Sequence, residues 1–511
     1  MKRAYFICLF LCLTNTFAAR PVQAQTETVL YNFCSQPSCS DGSGPMSQLT
    51  SDGKGNFYGT TERGGQGCAG SGCGTVFELS PNGSGGWNET VIHSFTDAPD
   101  GAAPLLSLVI FDSVGNLYGT TESGGANGAG TVFELSPVGT SWTENVLYNF
   151  CSAANCADGG GPAAGLIFDP AGNLYGTFLA SGDSASSATV FELSPSDGGW
   201  TEQVIYEAGA SEFGLTMDDS GNVYGTTGAI GYFDYGTVFE LSPNGSGGWN
   251  PTVIHTFAGY PKDGWNPVGN PVLDQAGNLY GTTNGGGPKG HGTVYKLSPN
   301  EGGWTEEILP AFRECIVDGC TPVAGVVLDA DGNIYGTTQG GSDGYAMGTV
   351  YELVAPVGKG KYKEVPLWSF TGTDGSYPMA SLILDRAGNL YGTTYQGGSS
   401  NAGVVFEVTG VRATTTTALS SSPNPSQSGQ AVTFTAVVAS TFGTQPDGET
   451  VSFMKGKTVL GTGTLSGGSA TFTTSTLKVG TTSVTAVYGG DSNFAGSTSK
   501  AVKQLVKKAG E

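Results

Sequence analysis

A repeated unit of 49 to 60 residues occurs seven times along the chain and limits what the chain can fold into. Each copy contains an Asp-x-x-Gly-Asn turn, an apolar-Tyr-Gly-Thr segment, a glycine-rich gap and a segment resembling Gly-Thr-Val-Phe-Glu-Leu. The recurring tyrosines are Tyr58, Tyr118, Tyr175, Tyr224, Tyr280, Tyr335 and Tyr391. A repeat of this length that holds several short strands is typical of one β-propeller blade. The sequence therefore predicts an all-β chain with a seven-bladed β-propeller.

The second copy shows how one repeat divides into four strands, which we name a to d in chain order. Strand a covers residues 107–111, strand b 117–121, strand c 131–135 and strand d 142–150. These runs are rich in β-branched and aromatic residues and are bounded by Gly, Pro, Asn and Asp, as strands usually are. We expect the recurring tyrosine in strand b to fill the space between blades.

The two ends of the repeat array predict how the ring closes. A strand of the d type, residues 28–33, precedes the first turn, whereas the last copy ends at strand c, residues 404–408. We predict that the N-terminal strand completes the seventh blade and removes the open edge of a linear array.

A different pattern follows the repeats. The predicted propeller covers residues 25–410 and a threonine-rich linker covers 411–417. Short alternating runs over 418–511 predict an immunoglobulin-like β-sandwich without a cysteine bridge. The sandwich is expected to act as a spacer.

The N-terminus has the pattern of a cleavable secretion signal over residues 1–24: Lys2 and Arg3, an apolar run, and small residues up to Ala24. No later stretch approaches the roughly 20 apolar residues that a spanning helix needs. We expect a secreted or cell-surface monomer. The formal charge of −22 argues against nucleic acid as a partner, because it repels phosphate.

The remaining cysteines form four pairs of identical C-x4-C spacing: Cys34/Cys39, Cys68/Cys73, Cys151/Cys156 and Cys315/Cys320. In an exported chain this spacing predicts four local disulfides. Zinc sites usually pair cysteines more tightly and add histidine, and the chain has only His93, His255 and His291. The prediction is therefore no resident metal and no cofactor, with calcium as an alternative only at the loop aspartates of the Asp-Gly-x-x-Pro motif.

The segments 115–121 (Gly-Asn-Leu-Tyr-Gly-Thr-Thr) and 130–137 (Gly-Thr-Val-Phe-Glu-Leu-Ser-Pro) closely resemble the Gloeo/Verruco (GloVer) tandem repeat of exported bacterial proteins. The run 484–494 is similar to bacterial Ig-like domains of surface proteins. The resemblance implies a location outside the cytoplasm and supplies no catalytic residues.

Six copies carry Asp-Gly-x-x-Pro between strand d and the next strand a, at Asp41, Asp100, Asp158, Asp263, Asp318 and Asp374. Six carboxylates around one opening could bind calcium or sugar hydroxyls. Alternatively, each aspartate caps its own turn. Recurrence in almost every copy favours the structural role. His93 and His255 occupy the strand d position of Tyr31, Tyr148 and Trp368, which indicates packing variants.

The fourth copy departs from the pattern twice, and a ring of similar blades can bind one small ligand specifically only where a blade differs. This copy lacks Asp-Gly-x-x-Pro and carries Tyr232, Phe233 and Tyr235 close to Glu212. Aromatic rings stack on sugar faces and a carboxylate accepts hydroxyl hydrogen bonds, so these four residues are the predicted ligand site.

No catalytic residue is predicted, because the G-x-S-x-G match at 340–344 lies in a loop rather than on a strand-to-helix elbow. The first functional hypothesis is an exported binding or structural protein that recognises a glycan or another extracellular or cell-surface ligand. The alternative is an extracellular propeller enzyme such as a lyase, lactonase or glycosidase.

Overall fold

A computed structural model describes residues 25–508 except 69, 163, 181–188, 208–211, 229–234, 311, 313–318, 331, 341–346, 357–359, 386, 410–414, 441–446, 491–493 and 495. The described residues form strands and two short 3-10 helices, Pro37–Cys39 and Ala154–Cys156, with no α-helix among them. None of the described helices has the length and hydropathy to cross a membrane. The predicted secretion signal lies outside the described residues.

The repeats form seven antiparallel sheets, numbered here in chain order after the N-terminal strand β1 (Thr26–Asn32). Sheet 1 contains β2 (Thr50–Ser51), β3 (Phe57–Thr61), β4 (Thr75–Pro81) and β5 (Trp87–Ser94). Sheet 2 contains β6 (Ile110–Phe111), β7 (Leu117–Thr121), β8 (Thr131–Val138) and β9 (Ser141–Asn149). Sheet 3 contains β10 (Gly160–Pro162), β11 (Ile167–Phe168), β12 (Leu174–Ala180), β13 (Thr189–Ser196) and β14 (Gly199–Glu207).

The other four sheets have the same a-to-d order. Sheet 4 contains β15 (Glu212–Met217), β16 (Val223–Thr227), β17 (Thr237–Pro243) and β18 (Trp249–Thr256). Sheet 5 contains β19 (Gly264–Leu273), β20 (Leu279–Gly286), β21 (Thr293–Asn300) and β22 (Gly303–Leu309). Sheet 6 contains β23 (Val327–Leu328), β24 (Ile334–Thr338), β25 (Thr349–Val354) and β26 (Lys363–Ser369). Sheet 7 contains β27 (Ile383–Leu384), β28 (Leu390–Thr394) and β29 (Val404–Thr409).

Sheet 7 receives its fourth strand from the N-terminus. β1 pairs antiparallel with β29, and Tyr31 lies opposite Val405 in the register. The predicted pairing of the N-terminal strand is therefore confirmed. It covers the edge of β29, whose backbone groups would otherwise be free to pair with another chain.

The turn between strands a and b is built by its aspartate. In sheet 2, Asp112 Oδ1 accepts hydrogen bonds from the backbone N–H groups of Val114, Gly115 and Asn116, at 2.7 to 2.9 Å. Asp112 Oδ2 accepts another from the Asn116 side-chain amide at 2.9 Å. The backbone and amide bonds between the same aspartate and asparagine positions recur in all seven sheets. This recurrence explains why Asp-x-x-Gly-Asn is repeated.

The recurring tyrosines join neighbouring sheets. Tyr118 packs with buried apolar residues of sheet 3, and each other tyrosine of the set packs in the same way on the sheet that follows its own. The last one, Tyr391 of sheet 7, contacts Phe57 of sheet 1 with ring centroids 4.5 Å apart. Thr393 also donates a hydrogen bond to the Ser47 carbonyl. The seven sheets thus form a closed circle, which we call the seven-sheet ring, and the predicted packing role of the tyrosines is confirmed.

The C-terminal region forms two further sheets around its own core. The strands are β30 (Thr415–Ser422), β31 (Ser426–Gln427), β32 (Val432–Ser440), β33 (Thr450–Lys455), β34 (Thr458–Thr464), β35 (Ser469–Thr474), β36 (Gly480–Tyr488), β37 (Ser497–Thr498) and β38 (Val502–Lys507). β30, β32 and β35 form one sheet and the others form the second. β30 begins inside the predicted linker, because Thr415 already pairs with Ser440 of β32.

Candidate functional site

The Asp-Gly-x-x-Pro aspartates lie beneath the loops that connect neighbouring sheets. Asp158 accepts backbone hydrogen bonds from Ser152 at 2.7 Å and Ala153 at 3.0 Å, and the Tyr148 hydroxyl donates to it at 2.8 Å. Loop N–H groups bond in a comparable way to Asp41, Asp100, Asp263 and Asp374. Asp318 lies outside the described residues. These bonds support the structural role that recurrence indicated.

Local disulfides close short loops, either between strands b and c or between strand d and the next strand a. The bonds Cys34–Cys39, Cys68–Cys73 and Cys151–Cys156 are present, which confirms three of the predicted pairs. Cys320 is also disulfide-bonded, whereas its predicted partner Cys315 lies outside the described residues.

A glutamate from the next sheet interacts electrostatically with several of these aspartates. We call each such group an inter-sheet cluster: a strand d aromatic or histidine, the loop aspartate, and the glutamate near the start of the following strand d. Burial, together with Asp158, raises the pKa of Glu202 to about 7. Burial and Asp41 raise the pKa of Glu89 to about 8. These glutamates were not predicted from the sequence, although a Trp-x-Glu pattern marks most of them.

Two inter-sheet clusters contain histidine in place of tyrosine. His93 Nε2 lies 3.2 Å from Asp100 Oδ2, and Glu144 completes the group. In the other, His255 Nε2 lies 3.2 Å from Glu306 Oε1 and 3.6 Å from Asp263 Oδ2.

The two histidine rings have different electrostatic settings but the same packing. Burial lowers the pKa of His93, against the opposing effect of Asp100. Burial also disfavours charge on His255, but the nearby carboxylates of Asp263 and Glu306 outweigh it and raise the pKa of His255 to about 9. Each ring makes an edge contact with the phenylalanine two residues later, as Tyr31 and Tyr148 do. The predicted equivalence of these positions is confirmed.

The described residues include only part of the predicted ligand site. Tyr232 and Phe233 lie outside the described residues. Glu212 begins β15 opposite Thr227, and its side chain is not among those described. Tyr235 is described and half-buried, and the structure places it next to aromatic residues that the sequence analysis did not select.

Those neighbours lie where the chain enters sheet 5, Tyr260 in the preceding loop and Trp265 near the start of β19. The Trp265 ring lies 6.5 Å from that of Tyr235, and the side chain stays 45% exposed. Tyr260 is 67% exposed, and the residue before it, Gly259, lies against the Tyr235 ring. We call Tyr235, Tyr260 and Trp265 the aromatic patch. A signal was present in the sequence, because Trp265 stands where other copies have Ser, Ala, Gly or Cys after Asp-Gly.

The middle of the seven-sheet ring is narrow. Its cavity measures about 50 Å³. Glycines allow the inner strands to approach: a Cβ on Gly269 would lie 2.0 Å from the Gly325 backbone nitrogen, and one on Gly165 would lie 2.5 Å from Leu108 Cβ. A ligand of sugar size therefore has no room in this cavity.

A wider cavity of about 460 Å³ lies beside it, which we call the channel mouth. It is lined by Met46, Glu62, Leu105, Gln339, Tyr377, Met379, Tyr395 and Gln396. Glu62 forms an ion pair with Arg63 at 2.9 Å and accepts a hydrogen bond from the Tyr395 hydroxyl. Tyr377 has a φ of 56°, a left-handed conformation that is costly for a bulky residue.

The channel mouth was not predicted from the sequence. Three of its residues, Glu62, Gln339 and Tyr395, directly follow the repeated threonines of strand b. The residue at this position varies among the seven copies: Glu62, Glu122, Leu179, Gly228, Asn284, Gln339 and Tyr395. Burial, with a contribution from Glu62, raises the pKa of Glu122. Variation at this one position inside a repeated motif was the sequence signal that could have indicated the channel mouth.

These features define an all-β repeat protein whose four- and five-stranded sheets form a closed circle. The Gloeobacter/Verrucomicrobia repeat matches residues 16–214, 69–271 and 211–473, so the chain belongs to this family. A comparison with curated proteins found no match.

Two solved structures show distant similarity. PorZ, an essential surface component of the type-IX secretion system of Porphyromonas gingivalis, has 14% identity and a TM-score of 0.47, over 92% of this chain and 61% of its own. The extracellular domain of a one-component system from B. thetaiotaomicron has 11% identity and a TM-score of 0.43, over 95% of this chain and 58% of its own. The chain spans about three fifths of the length of these two proteins.

Proposed function

We propose that this chain is an exported cell-surface protein that binds carbohydrate, built from a seven-bladed β-propeller and an immunoglobulin-like spacer. The closed circle of four-stranded sheets supports the propeller assignment. Two sheets around one apolar core support the sandwich assignment. Local disulfides support export, because such bonds persist in oxidising surroundings.

The aromatic patch carries the proposal of carbohydrate binding. Aromatic side chains this exposed are unusual in a ring that buries its recurring tyrosines, and sugar rings stack on such faces. The proposed site comprises the patch together with the predicted Glu212, Tyr232 and Phe233. The carboxylate of Glu212 would accept sugar hydroxyl hydrogen bonds.

A glycan array screened with the purified chain tests this function. For any glycan that the array identifies, we expect Trp265→Ala to weaken binding about tenfold, or about 1.4 kcal/mol. Replacing Tyr235 and Tyr260 as well should abolish it. Val138→Ala, at an exposed apolar residue of sheet 2, is the control and should bind normally. An array without any bound glycan, or a patch variant that binds like the wild type, would contradict the proposal.

The channel mouth supports the enzyme hypothesis as a second candidate. Glu62 lines the cavity, and burial, with a smaller contribution from the charge of Glu62, raises the pKa of Glu122, so two carboxyl groups with different surroundings interact here. Such pairs serve as acid and base in glycoside cleavage. Screening the chain against glycosidase and lyase substrates, with Glu62→Gln and Glu122→Gln as variants, tests it. Activity that both variants lose would favour the enzyme, whereas no turnover by the wild type would favour binding alone.

A further inference from the structure

The two histidine-containing inter-sheet clusters differ chemically from the others. The described clusters elsewhere place Tyr31, Tyr148 or Trp368 at the histidine position, and these side chains donate hydrogen bonds to the aspartate. A neutral imidazole nitrogen is a common metal ligand in proteins. In both histidine clusters the imidazole nitrogen and two carboxylate oxygens lie within 4.8 Å of one another.

The spacing of these atoms matches a tetrahedral metal site. Zinc binds nitrogen and oxygen ligands at about 2.0 to 2.2 Å, so the edges of its tetrahedron measure about 3.3 to 3.6 Å. The measured separations are 3.2 Å between His93 Nε2 and Asp100 Oδ2, and 3.2 and 3.6 Å from His255 Nε2 to its two carboxylate oxygens. The remaining separations within each group are at most 4.8 Å, so side-chain adjustments of about 1 Å would place one ion between the three donors.

The hydrogen bond from the strand d side chain to the aspartate, present in the tyrosine clusters, has no aligned counterpart in the described histidine clusters. Tyr148 donates to Asp158 at 2.8 Å. By contrast, His93 Nε2 and His255 Nε2 are buried and make no aligned hydrogen bond within the described residues, despite their short distances to carboxylates. The Oε1 atoms of Glu144 and Glu306 are also buried without a hydrogen bond among the described residues, as are those of Glu89 and Glu202 in the tyrosine clusters. The imidazole nitrogen without an aligned hydrogen bond is therefore the feature that distinguishes the histidine clusters. Buried polar atoms that make no aligned hydrogen bond are costly, and a cation between the imidazole nitrogen and the carboxylate oxygens would coordinate them all.

We propose that the clusters His93/Asp100/Glu144 and His255/Asp263/Glu306 each bind one divalent cation of the zinc class. Each ion would have three protein ligands, with a fourth position left for water. His93 lies on β5 and Glu144 on β9, so the first ion would link sheets 1 and 2. His255 lies on β18 and Glu306 on β22, so the second would link sheets 4 and 5.

Metal analysis of the tag-free, chelator-treated chain tests the proposal, with Zn²⁺ as the probe. After equilibrium dialysis, we expect two zinc ions per chain, one in His93→Tyr, one in His255→Tyr and none in the double variant. Tyrosine is the matched replacement, because Tyr148 occupies the same register position in sheet 2. Without metal, the variants should therefore have the same melting temperature as the wild type. Zinc should raise the melting temperature of the wild type but not of the double variant.

Two further variants make the test specific. His291→Gln removes the remaining histidine and should leave two ions bound. Tyr148→His recreates the donor set beside Asp158 and Glu202, and should add a third ion. Fewer than two ions on the wild type, or a stoichiometry that His93→Tyr and His255→Tyr leave unchanged, would overturn the proposal.

Discussion

The seven-sheet ring and the C-terminal sandwich bury their apolar side chains in different ways. In the ring, each core cluster is shared between one sheet and the next, as where Tyr391 of sheet 7 packs on Phe57 of sheet 1. The sandwich core, with Phe434 and Phe453, comes from its own two sheets, and Leu384 of β27 is the ring residue among those described that packs against it. The difference teaches that the ring should unfold as a unit, because no sheet has a complete core alone, while the sandwich can melt separately.

The largest expected effect follows from removing the strand that closes the ring. Deletion of residues 25–33 removes β1 and the fully buried Phe33, and exposes the edge of β29. We expect the ring transition to be lost or broadened and the chain to aggregate, while the sandwich transition remains. Calorimetry and light scattering measure both outcomes.

The control for this deletion is Thr28→Ala, on an exposed position of β1, which should leave the ring intact. A truncated chain that stays monomeric with an unchanged ring transition would mean that β1 does not hold the circle closed.

A core substitution in the sandwich should have the next largest effect and leave the ring untouched. Phe453 is fully buried, so Phe453→Ala should lower the free energy of unfolding of the sandwich by about 3 to 5 kcal/mol. Phe239→Ala, at a fully buried position of sheet 4, is the matched change in the ring. Calorimetry should show a shift of only one unfolding transition in each variant. If both transitions shifted in either variant, the two regions would unfold as a single unit.

The same difference between regions explains what the sequence could predict. Strand order, the turn aspartates and the closing strand were predictable, because each depends on local pattern repeated in every copy. The inter-sheet clusters were not, because Glu89 meets Tyr31 and Asp41 only after the ring brings neighbouring strands d together. The position of Trp265 beside Tyr235 likewise depends on how two successive sheets pack.

Removing a disulfide should have a smaller, local effect on the ring. The Cys34–Cys39 bond closes a loop with a sequence separation of 5, which contributes about 2 kcal/mol in the loop-entropy model. We expect Cys34→Ser/Cys39→Ser to lower the melting temperature of the ring transition by a few degrees and to leave the sandwich transition unchanged. Cys151→Ser/Cys156→Ser, in the equivalent loop after sheet 2, should behave alike. Complete loss of the ring transition in either variant would show that these bonds are required for the fold.

The smallest expected effect is a pH dependence confined to the ring. Burial and the charge of Asp41 raise the pKa of Glu89 from its ordinary value of 4.5 to about 8 in the folded protein. A carboxyl group with a raised folded pKa binds its proton more tightly when folded, so its stabilising contribution is complete below pH 4.5 and is lost as the pH rises to 8. Glu89→Gln keeps an uncharged side chain at every pH, and should therefore reduce the fall in ring melting temperature between pH 5 and pH 8. The difference should be less than about 2 °C, because Glu89 is only partly buried and solvent screens its charge. Differential scanning calorimetry across this range measures it against Glu307→Gln, an exposed change on β22. Parallel pH profiles for the wild type and Glu89→Gln would show that this cluster does not couple proton binding to closure of the ring.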